Sequence, residues 1–374
     1  MDADDCLPAH ILPAGVRARR LTGINGLDMQ VLEAGYQQAG RPCVVLLHGF
    51  PELAYSWRKV MGPLAAAGYY VVAPDQRGYG RTTGWDAAYD GDLASFRLLN
   101  LVRDVMGLVA ALGCRQVACV VGHDFGASVA AWCALLRPDI FRAVTLMSAP
   151  FGGVPAIPLG AAPAAGADIH AALAALERPR KHYQWYYSGR EANEDMWHPP
   201  QGLHDFLRGY YHYKSADWAG NRPQPLAGWT AGELAKLPTY YVMDRDLGMA
   251  ATVAAVMPAG ECAWLTEAEL AVYAGEYART GFQGGLQWYR CRTDRRFLPE
   301  LEVFGGRAIE VPACFIAGAA DWGIHQSPGA LARMQDEACA RMLMCHLVEG
   351  AGHWVQQEQP GEVVRLLLEF LRRV

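Results

Sequence analysis

The sequence has no surplus of basic residues and no long apolar run. Its 374 residues include 33 Lys and Arg against 38 Asp and Glu, which gives a net charge of −5. This balance offers no basic face for nucleic acid or for an anionic membrane surface. No apolar run is long enough to span a bilayer, and the acidic first ten residues lack the basic-then-apolar order of a signal peptide. We therefore expect no nucleic-acid partner and no membrane partner.

Paired cysteines are also lacking. The ten cysteines are scattered, and none lies in a C-x-x-C pair or in the spacing of a Cys/His metal site. Several fall within the strands and helices expected below, where a free thiol behaves as a small apolar group. These absences predict no metal site and a reducing, cytoplasmic location.

Short apolar strands alternate with helices over the first 150 residues. Helices are expected at 57–67, 98–112 and 127–136, and strands at 43–47, 70–73, 117–121 and 144–147. Strands that are apolar on both faces and alternate with helices are typical of a parallel sheet covered by helices. The sequence therefore predicts an α/β fold.

The composition changes after residue 150. Residues 151–305 are rich in Trp, Tyr and Met and show no clear strand, and a stretch rich in Ala, Gly and Pro at 153–172 is expected to be a loop. Strand-like runs return at 313–317 and 345–348, before a closing helix at 362–371. We predict a core made of residues 1–150 and 306–374, with a helical lid at 151–305 inserted after the sixth strand.

The strongest motif follows the strand at 117–121. Gly122 and Gly126 flank Asp124 at both second neighbours, which is the G-x-nucleophile-x-G elbow with aspartate where esterases carry serine. A carboxylate is already anionic at neutral pH and can displace a leaving group at an sp³ carbon, forming an ester. The pattern predicts Asp124 as a nucleophile, exposed at a strained turn, for epoxides or alkyl halides. His123 is interpreted as a packing residue.

An oxyanion hole is expected beside the elbow. His48, Gly49, Phe50 and Pro51 follow the strand at 43–47, and an X-Pro bond at such a place is compatible with a cis turn. The Phe50 N–H and the Phe125 N–H are the two predicted donors. His48 is interpreted as holding the turn, with a role as catalytic base as the alternative.

The base and its orienting carboxylate are expected near the C-terminus. His353 lies among small residues just past a strand and before a helix, and Asp321 ends the strand-like run that starts at residue 313. Catalytic groups gather at the carboxyl ends of the strands in open α/β sheets. We predict that Asp321 orients His353, beside Asp124.

These motifs together resemble the α/β-hydrolase-fold epoxide hydrolases, over nearly the whole chain. That family carries an HGXP motif, a GHDxG elbow, a "YQ" helix motif and a motif ending in Trp-Tyr-Arg, which are matched here at 48–51, 122–126, 182–187 and 285–290. The resemblance implies an α/β-hydrolase fold in which Tyr183 and Tyr289 grip the epoxide oxygen. Tyr186 and Tyr187 are neighbouring alternatives for the first of these.

The implied reaction opens an epoxide through an ester on Asp124 and then hydrolyses that ester with water activated by His353 and Asp321. The resemblance implies a small apolar epoxide and water as partners and no cofactor. Trp185, Met196 and Trp197 suggest an aromatic pocket. The oligomeric state stays open.

Two alternatives remain at this point. The first is a haloalkane or haloacid dehalogenase of the same fold; haloalkane enzymes commonly carry an indole after the nucleophile to bind halide, where this chain has Phe125. Fluoroacetate enzymes place arginines near the nucleophile, where residues 127–129 are Ala-Ser-Val. The second alternative is a non-catalytic receptor for a ligand.

Overall fold

A computed structural model describes residues 6–157, 168–260 and 262–374. Within these residues the chain forms an eight-stranded sheet in the order β1-β2-β4-β3-β5-β6-β9-β10. Its first two pairings, β1 with β2 and β2 with β4, are antiparallel, and the others are parallel. The strands are β1 Val16–Ile24, β2 Leu27–Ala34, β3 Cys43–Leu47, β4 Tyr70–Pro74, β5 Cys119–His123, β6 Val144–Met147, β9 Ala313–Gly318 and β10 Met342–Val348.

Helices cover this sheet and are the main regular structure between β6 and β9. They are α1 Arg58–Ala66, α2 Leu98–Ala111, α3 Phe125–Leu136, α4 Ile169–Ala174, α5 Tyr183–Tyr187, α6 Glu191–Trp197, α7 Leu203–Lys214, α8 Ala231–Leu234, α9 Met249–Ala254, α10 Glu267–Thr280, α11 Gln283–Thr293, α12 Pro299–Glu302, α13 Ala330–Arg333, α14 Val355–Glu358 and α15 Pro360–Leu371. Strands β3, β5, β6 and β9 are buried along their full length. This double-sided burial is what a parallel sheet between helical layers requires.

The strands expected at 43–47 and 144–147 lie where they were predicted. The strand expected at 117–121 is β5, which runs two residues later and so leads directly into Asp124. The hairpin of β1 and β2 was missed. Three arginines on β1 make its pattern polar, and two of them, Arg17 and Arg19, pair with the buried Glu33 of β2.

The segment after β6, the sixth strand in chain order, is mainly helical, but the expectation that it holds no strand was wrong. Two short antiparallel strands pair within it, β7 Arg180–His182 and β8 Val242–Asp244. Helix α4 also begins inside the stretch expected to be a loop; residues 158–167 of that stretch lie outside the described residues. The division into core and lid domains remains a prediction.

The candidate functional residues lie at one edge of the sheet. Strands β5, β6, β9 and β10 are consecutive parallel neighbours, so their carboxyl ends share one edge of the sheet. Asp124 follows β5, Asp321 comes three residues after β9, and His353 comes five residues after β10. Within the described residues no helix is both long enough and apolar enough to cross a bilayer.

Candidate active site

The elbow at Asp124 is a sharp turn between β5 and α3, in which Asp124 adopts φ 53° and ψ −120°. A Cβ added to Gly122 would lie 2.1 Å from the Gly126 carbonyl oxygen, and one added to Gly126 would lie 2.4 Å from the Leu47 carbonyl oxygen. These contacts are too close for any side chain. Glycine is therefore required at both positions of the motif, because the backbone approaches too closely there to leave room for a Cβ.

Asp124 is not exposed, contrary to the sequence prediction. Its relative exposure is 7%, although it still lines a cavity. The helices inserted after β6 cover the turn: Tyr289 of α11 packs edge-on against Phe125, with ring centroids 5.3 Å apart. The strained turn presents the carboxylate to an enclosed space rather than to solvent.

His353 stands between two carboxylates. Its Nδ1 lies 3.1 Å from both oxygens of Asp321, and its Nε2 lies 3.3 Å from Oδ2 of Asp124. Asp321 is held in turn by the Gly323 N–H at 2.7 Å. Nδ1 therefore donates to Asp321, and Nε2 is the nitrogen directed at Asp124. The ring, 1% exposed, is fixed in this orientation.

The charges around Asp124 keep it ionised. Burial alone would raise its pKa, but the contact with His353 and the charges of His353, Lys214 and His123 outweigh burial, and the pKa falls well below the usual value. The pKa of Asp321 is lowered in the same way, against burial, chiefly by His353. The site therefore holds two carboxylates in their anionic form at neutral pH.

The turn after β3 supplies a hydrogen-bond donor to Asp124. The Phe50 N–H donates to Oδ1 of Asp124 at 3.0 Å, and the Phe50–Pro51 bond is cis, as the sequence suggested. A Cβ added to Gly49 would lie 2.5 Å from Oδ1 of Asp124, so this motif glycine lets the turn approach the carboxylate.

His48 is fully engaged within the same turn. Its Nδ1 contacts the Gly49 carbonyl oxygen at 2.9 Å, and its Nε2 accepts from the Gln76 N–H at 3.1 Å. Burial lowers the pKa of His48 to about 4, so it is neutral at neutral pH. Both nitrogens are used, which favours the interpretation that His48 holds the turn.

The two tyrosines indicated by the resemblance meet above Asp124. Tyr183 begins α5 and Tyr289 lies in α11, and their ring centroids are 5.8 Å apart. Both line the same cavity as Asp124. Burial, together with the charge of Asp124, raises the pKa of both phenols, so both remain protonated donors.

The neighbouring tyrosines are occupied elsewhere. Tyr186 donates to Asp195 at 2.6 Å, and the Tyr187 hydroxyl pairs with that of Tyr210 at 3.0 Å. Neither Tyr186 nor Tyr187 lines the cavity. Of the three candidates in this stretch, Tyr183 is the one that reaches the site.

The cavity measures about 530 Å³, within the usual range for a small-molecule site. Trp185 lines it, but Met196 and Trp197, expected to do so, do not. Among the described residues, no group of three His, Cys, Asp or Glu side chains is arranged to hold a metal ion. Aromatic side chains in the cavity lining include Phe96, Phe125, Trp132, Phe151, Trp185 and Trp288, and the charged residues Arg292, Asp294, Arg295 and Glu300 line it as well.

An ion pair behind the nucleophile was missed in the sequence. His123, interpreted as packing, contacts Oε2 of Glu52 through Nδ1 at 2.6 Å and the carbonyl oxygen of His353 through Nε2 at 2.6 Å. A carbonyl oxygen accepts only, so Nε2 carries a proton; although burial opposes it, the charge of Glu52 raises the pKa of His123. His123 is therefore an imidazolium that helps to fix His353. A glutamate directly after the Pro51 turn was the available signal.

A second missed carboxyl group anchors the loop that carries His353. Glu358 accepts from the N–H groups of Gly352 and Trp354, both at 2.9 Å, and from that of Ala216 at 2.8 Å. Two of these donors flank His353 in sequence. Glu358 thereby ties the loop after β10 to the end of α7.

Comparison with known proteins agrees with this geometry. Residues 42–360 match the family described as alpha/beta hydrolase fold. Epoxide hydrolase A of Mycobacterium tuberculosis is 36% identical over 369 residues, covering 96% of this chain and 98% of that protein. Epoxide hydrolase B of the same organism is 37% identical, covering 88% and 91%.

Solved structures give the same result. An epoxide hydrolase from an endophytic Streptomyces superposes with a TM-score of 0.74 at 32% identity, covering 96% of both chains. Epoxide hydrolase A from Mycobacterium thermoresistibile gives a TM-score of 0.73 at 32% identity, covering 96% of this chain and 98% of that one. The chain belongs to the epoxide hydrolase family of the α/β-hydrolase fold.

Proposed function

We propose that the chain hydrolyses epoxides to vicinal diols through a covalent ester on Asp124. The observation that carries this proposal is the single cavity onto which Asp124, Tyr183 and Tyr289 all open. An anionic nucleophile that needs no base faces two phenols that can donate protons. Relatives that share more than a third of its sequence are named epoxide hydrolases.

In the first half-reaction the epoxide oxygen accepts hydrogen bonds from Tyr183 and Tyr289. A carboxylate oxygen of Asp124 attacks one ring carbon, the bond from that carbon to the ring oxygen breaks, and the oxygen takes a proton from a tyrosine. The product is a hydroxyalkyl ester of Asp124. Alkoxide is a poor leaving group, so acid assistance matters, and general acid catalysis typically contributes about 10²–10⁴-fold.

In the second half-reaction His353 takes a proton from water through Nε2, while Asp321 stabilises the imidazolium. The water oxygen bonds to the ester carbonyl carbon, and the resulting oxyanion is held by the N–H groups of Phe50 and Phe125. The bond to the alkoxy oxygen then breaks, and that oxygen takes the proton back from His353. The second proton of the water, left on the new Asp124 carboxyl group, passes to the tyrosinate formed in the first half-reaction. The diol leaves, Asp124 is again a carboxylate, and the tyrosine is again an acid.

The haloalkane dehalogenase alternative has less support at this cavity. Haloalkane enzymes of this fold commonly use an indole N–H for the halide, and position 125 is phenylalanine. Trp288 lines the cavity, but its Nε1–H already donates to the Arg77 carbonyl oxygen at 2.9 Å. A silent receptor has no need for the oriented pair of His353 and Asp321.

Substrate class, location and organisation follow from the same features. The aromatic walls suit a small epoxide with apolar substituents, and water is the second substrate. The cysteines are free thiols, as in a reducing cytoplasm. We further propose that residues 151–305 act as a lid, because α5 and α11 of this segment bring Tyr183 and Tyr289 over the core.

The test is an assay of purified protein with styrene oxide, a terminal alkyl epoxide and a haloalkane. We expect diol from the epoxides and no halide from the haloalkane. Asp124→Asn, which keeps the side-chain shape and an acceptor for the Phe50 N–H, is the matched control and should form no diol. Halide release without diol formation would make the chain a dehalogenase, and ligand binding without turnover would make it a receptor.

A further inference from the structure

A buried lysine without a counter-carboxylate lies beside the candidate site. Lys214 ends α7 and is 4% exposed. Its Nζ lies 4.8 Å from the ring centroid of Tyr241, 5.4 Å from that of Trp354, 5.6 Å from that of Tyr210 and 5.7 Å from that of Tyr240. Within the described part of the chain, no carboxylate lies at ion-pair distance from this ammonium group. We call these four rings the aromatic cage.

The aromatic cage holds a cation that would otherwise be costly to bury. Burial lowers the pKa of Lys214, while the charges of Asp124, Asp321 and Glu52 raise it. The faces of aromatic rings attract an ammonium ion, and the attraction strengthens when water is excluded. The cage therefore keeps a positive charge within reach of the site without neutralising it through a direct ion pair.

Lys214 is tied to His353 by the backbone and by packing. The His353 N–H donates to the Lys214 carbonyl oxygen at 2.8 Å. Trp354 of the cage packs against the His353 ring, with centroids 4.7 Å apart. The ammonium charge of Lys214 lowers the pKa of Asp124 and of Asp321, the two carboxylates that contact the His353 ring, so a change in the charge at position 214 acts on the surroundings of His353.

The charged groups around His353 and its partners come from several elements. Asp124 of the elbow and Asp321 after β9 contact the His353 ring, and His123 of β5, which contacts the His353 carbonyl oxygen, is paired with Glu52 after β3. The charge of Lys214 of α7 acts on Asp124 and Asp321. Neutral titratable groups nearby are Tyr183, Tyr289, Tyr241 and His48. Glu358, which bonds to the backbone on both sides of His353, is also neutral at neutral pH, because burial raises its pKa to about 8.

The negative charge of Asp124 moves during the reaction. With Asp124 ionised, the three carboxylates exceed the two cations by one. Once Asp124 is esterified it is neutral, but the tyrosine that protonated the alkoxide is then a tyrosinate, so the excess of one negative charge persists. Without Lys214 the excess in the ester intermediate would be two negative charges, and negative charge makes an imidazole easier to protonate. A protonated His353 cannot take a proton from water.

We propose that Lys214 is a positioning residue whose charge keeps His353 unprotonated, and thus able to act as a base, while Asp124 carries the ester. The inference rests on the proposed function, because it concerns the second half-reaction. In this proposal the aromatic cage holds the positive charge that hydrolysis of the Asp124 ester requires.

The test is the pH dependence of ester breakdown in Lys214→Met, which removes the charge and keeps an unbranched side chain. The enzyme is mixed with styrene oxide in a single turnover, quenched in acid, and the adduct followed by intact-mass spectrometry. We expect the pH midpoint of adduct decay to rise by about one unit. Decay below the wild-type midpoint should be about ten-fold slower, with adduct formation little changed.

Lys181→Met is the matched control. Lys181 also places its ammonium over a ring, 4.6 Å from the centroid of Tyr186, but the carboxylates that act on it are Glu191, Asp195 and Asp246, outside the site. This variant should keep the wild-type midpoint. Lys214→Gln gives a second uncharged side chain should Lys214→Met not fold, and Lys214→Arg, which restores a charge, should return the midpoint towards wild type.

The outcomes separate the two proposals. If wild-type protein forms no adduct, the proposed function fails. If it forms and releases an adduct, but the uncharged variants decay with the wild-type midpoint, only the role of Lys214 is overturned. A uniform slowing at every pH would assign Lys214 a structural role, because packing defects do not move a titration midpoint.

Discussion

The hydroxyl of Tyr183 donates a hydrogen bond to Oε1 of Gln326 at 3.0 Å, and accepts one from Nε2 of Gln184 at 3.2 Å. Tyr289 differs: among the described residues, no protein atom accepts a hydrogen bond from its hydroxyl. The proton of Tyr183 is therefore committed to an amide, whereas that of Tyr289 is available to a substrate in the cavity. This asymmetry could not be seen in the motifs, which present the two tyrosines as equivalent.

We expect Tyr289→Phe to slow ring opening more than Tyr183→Phe does. The loss in Tyr289→Phe should be about 10²-fold or more, as for removal of a general acid, and the double variant should be nearly inactive. Rapid-quench measurement of adduct formation on Asp124 gives the rate directly. Equal losses in the two single variants would contradict the asymmetry, and a double variant as fast as wild type would refute the acid role.

Gln326→Leu tests the cause of the asymmetry. Removing the amide oxygen frees the Tyr183 proton, so in the Tyr289→Phe background this substitution should recover about ten-fold of the lost rate. The same substitution combined with Tyr183→Phe is the control and should recover nothing. The comparison of these two pairs is a double-mutant cycle on adduct formation.

His353→Gln should trap the intermediate. Under the proposed mechanism His353 acts only after the ester has formed, so the variant should become heavier by one substrate, with the added mass on the peptide that contains Asp124. In ¹⁸O-water, a single turnover of wild type should give unlabelled diol and place the label in Asp124. Labelled diol from the first turnover, with no adduct in the variant, would instead mean direct attack by water on the epoxide.

The lowered pKa of Asp124 determines how far the pH can fall before the first half-reaction slows. A carboxylate with a depressed pKa stays ionised as the pH falls, and becomes protonated only when the pH passes through the lowered value. We expect the rate of adduct formation to stay constant from about pH 8 to about pH 4, where an unperturbed aspartate would be half protonated. Stopped-flow mixing with circular dichroism at each pH separates this behaviour from acid unfolding.

Breaking the Glu52–His123 pair should destabilise the protein. Glu52 also accepts from Nε2 of Gln356 and of Gln357, both at 2.9 Å. Glu52→Gln leaves the His123 imidazolium without its anion, and such a loss typically costs about 3–5 kcal/mol in a buried pair. Urea unfolding measures the cost; Glu194→Gln, whose carboxylate pairs with exposed His198, should lie within about 1 kcal/mol of wild type. A similarly small change in Glu52→Gln would mean that His123 is neutral.

The sequence predicted those parts of the candidate site that local chemistry specifies, and the structure brings these residues together. The elbow is recognisable because the glycines at 122 and 126 are required by contacts within one turn. Asp321 and His353 could be found because each follows a strand, and parallel strands bring their carboxyl ends to one edge. The α/β arrangement followed from strands that are apolar on both faces.

What the sequence did not reveal depends on contacts between distant segments. Glu52 and His123 are 71 positions apart, and neither carries a local signal that the other is its partner. Asp124 was expected to be exposed because the turn alone exposes it, whereas the cover comes from α5 and α11. The aromatic cage of Lys214 draws rings from positions 210 to 354, so no window of the sequence displays it.

The proposed nucleophile and the proposed acid groups lie on different parts of the fold. Asp124 follows a strand of the central sheet, whereas Tyr289 and Tyr183 lie on helices inserted after β6. Phe50, in the turn after β3, packs against Tyr289, with ring centroids 5.5 Å apart. The offset between these two parts therefore decides which carbon of an unsymmetrical oxirane meets the carboxylate. Regiochemistry then depends on how the inserted helices pack over the sheet. Directed evolution towards one enantiomer of diol can therefore change that packing and leave every reacting group in place.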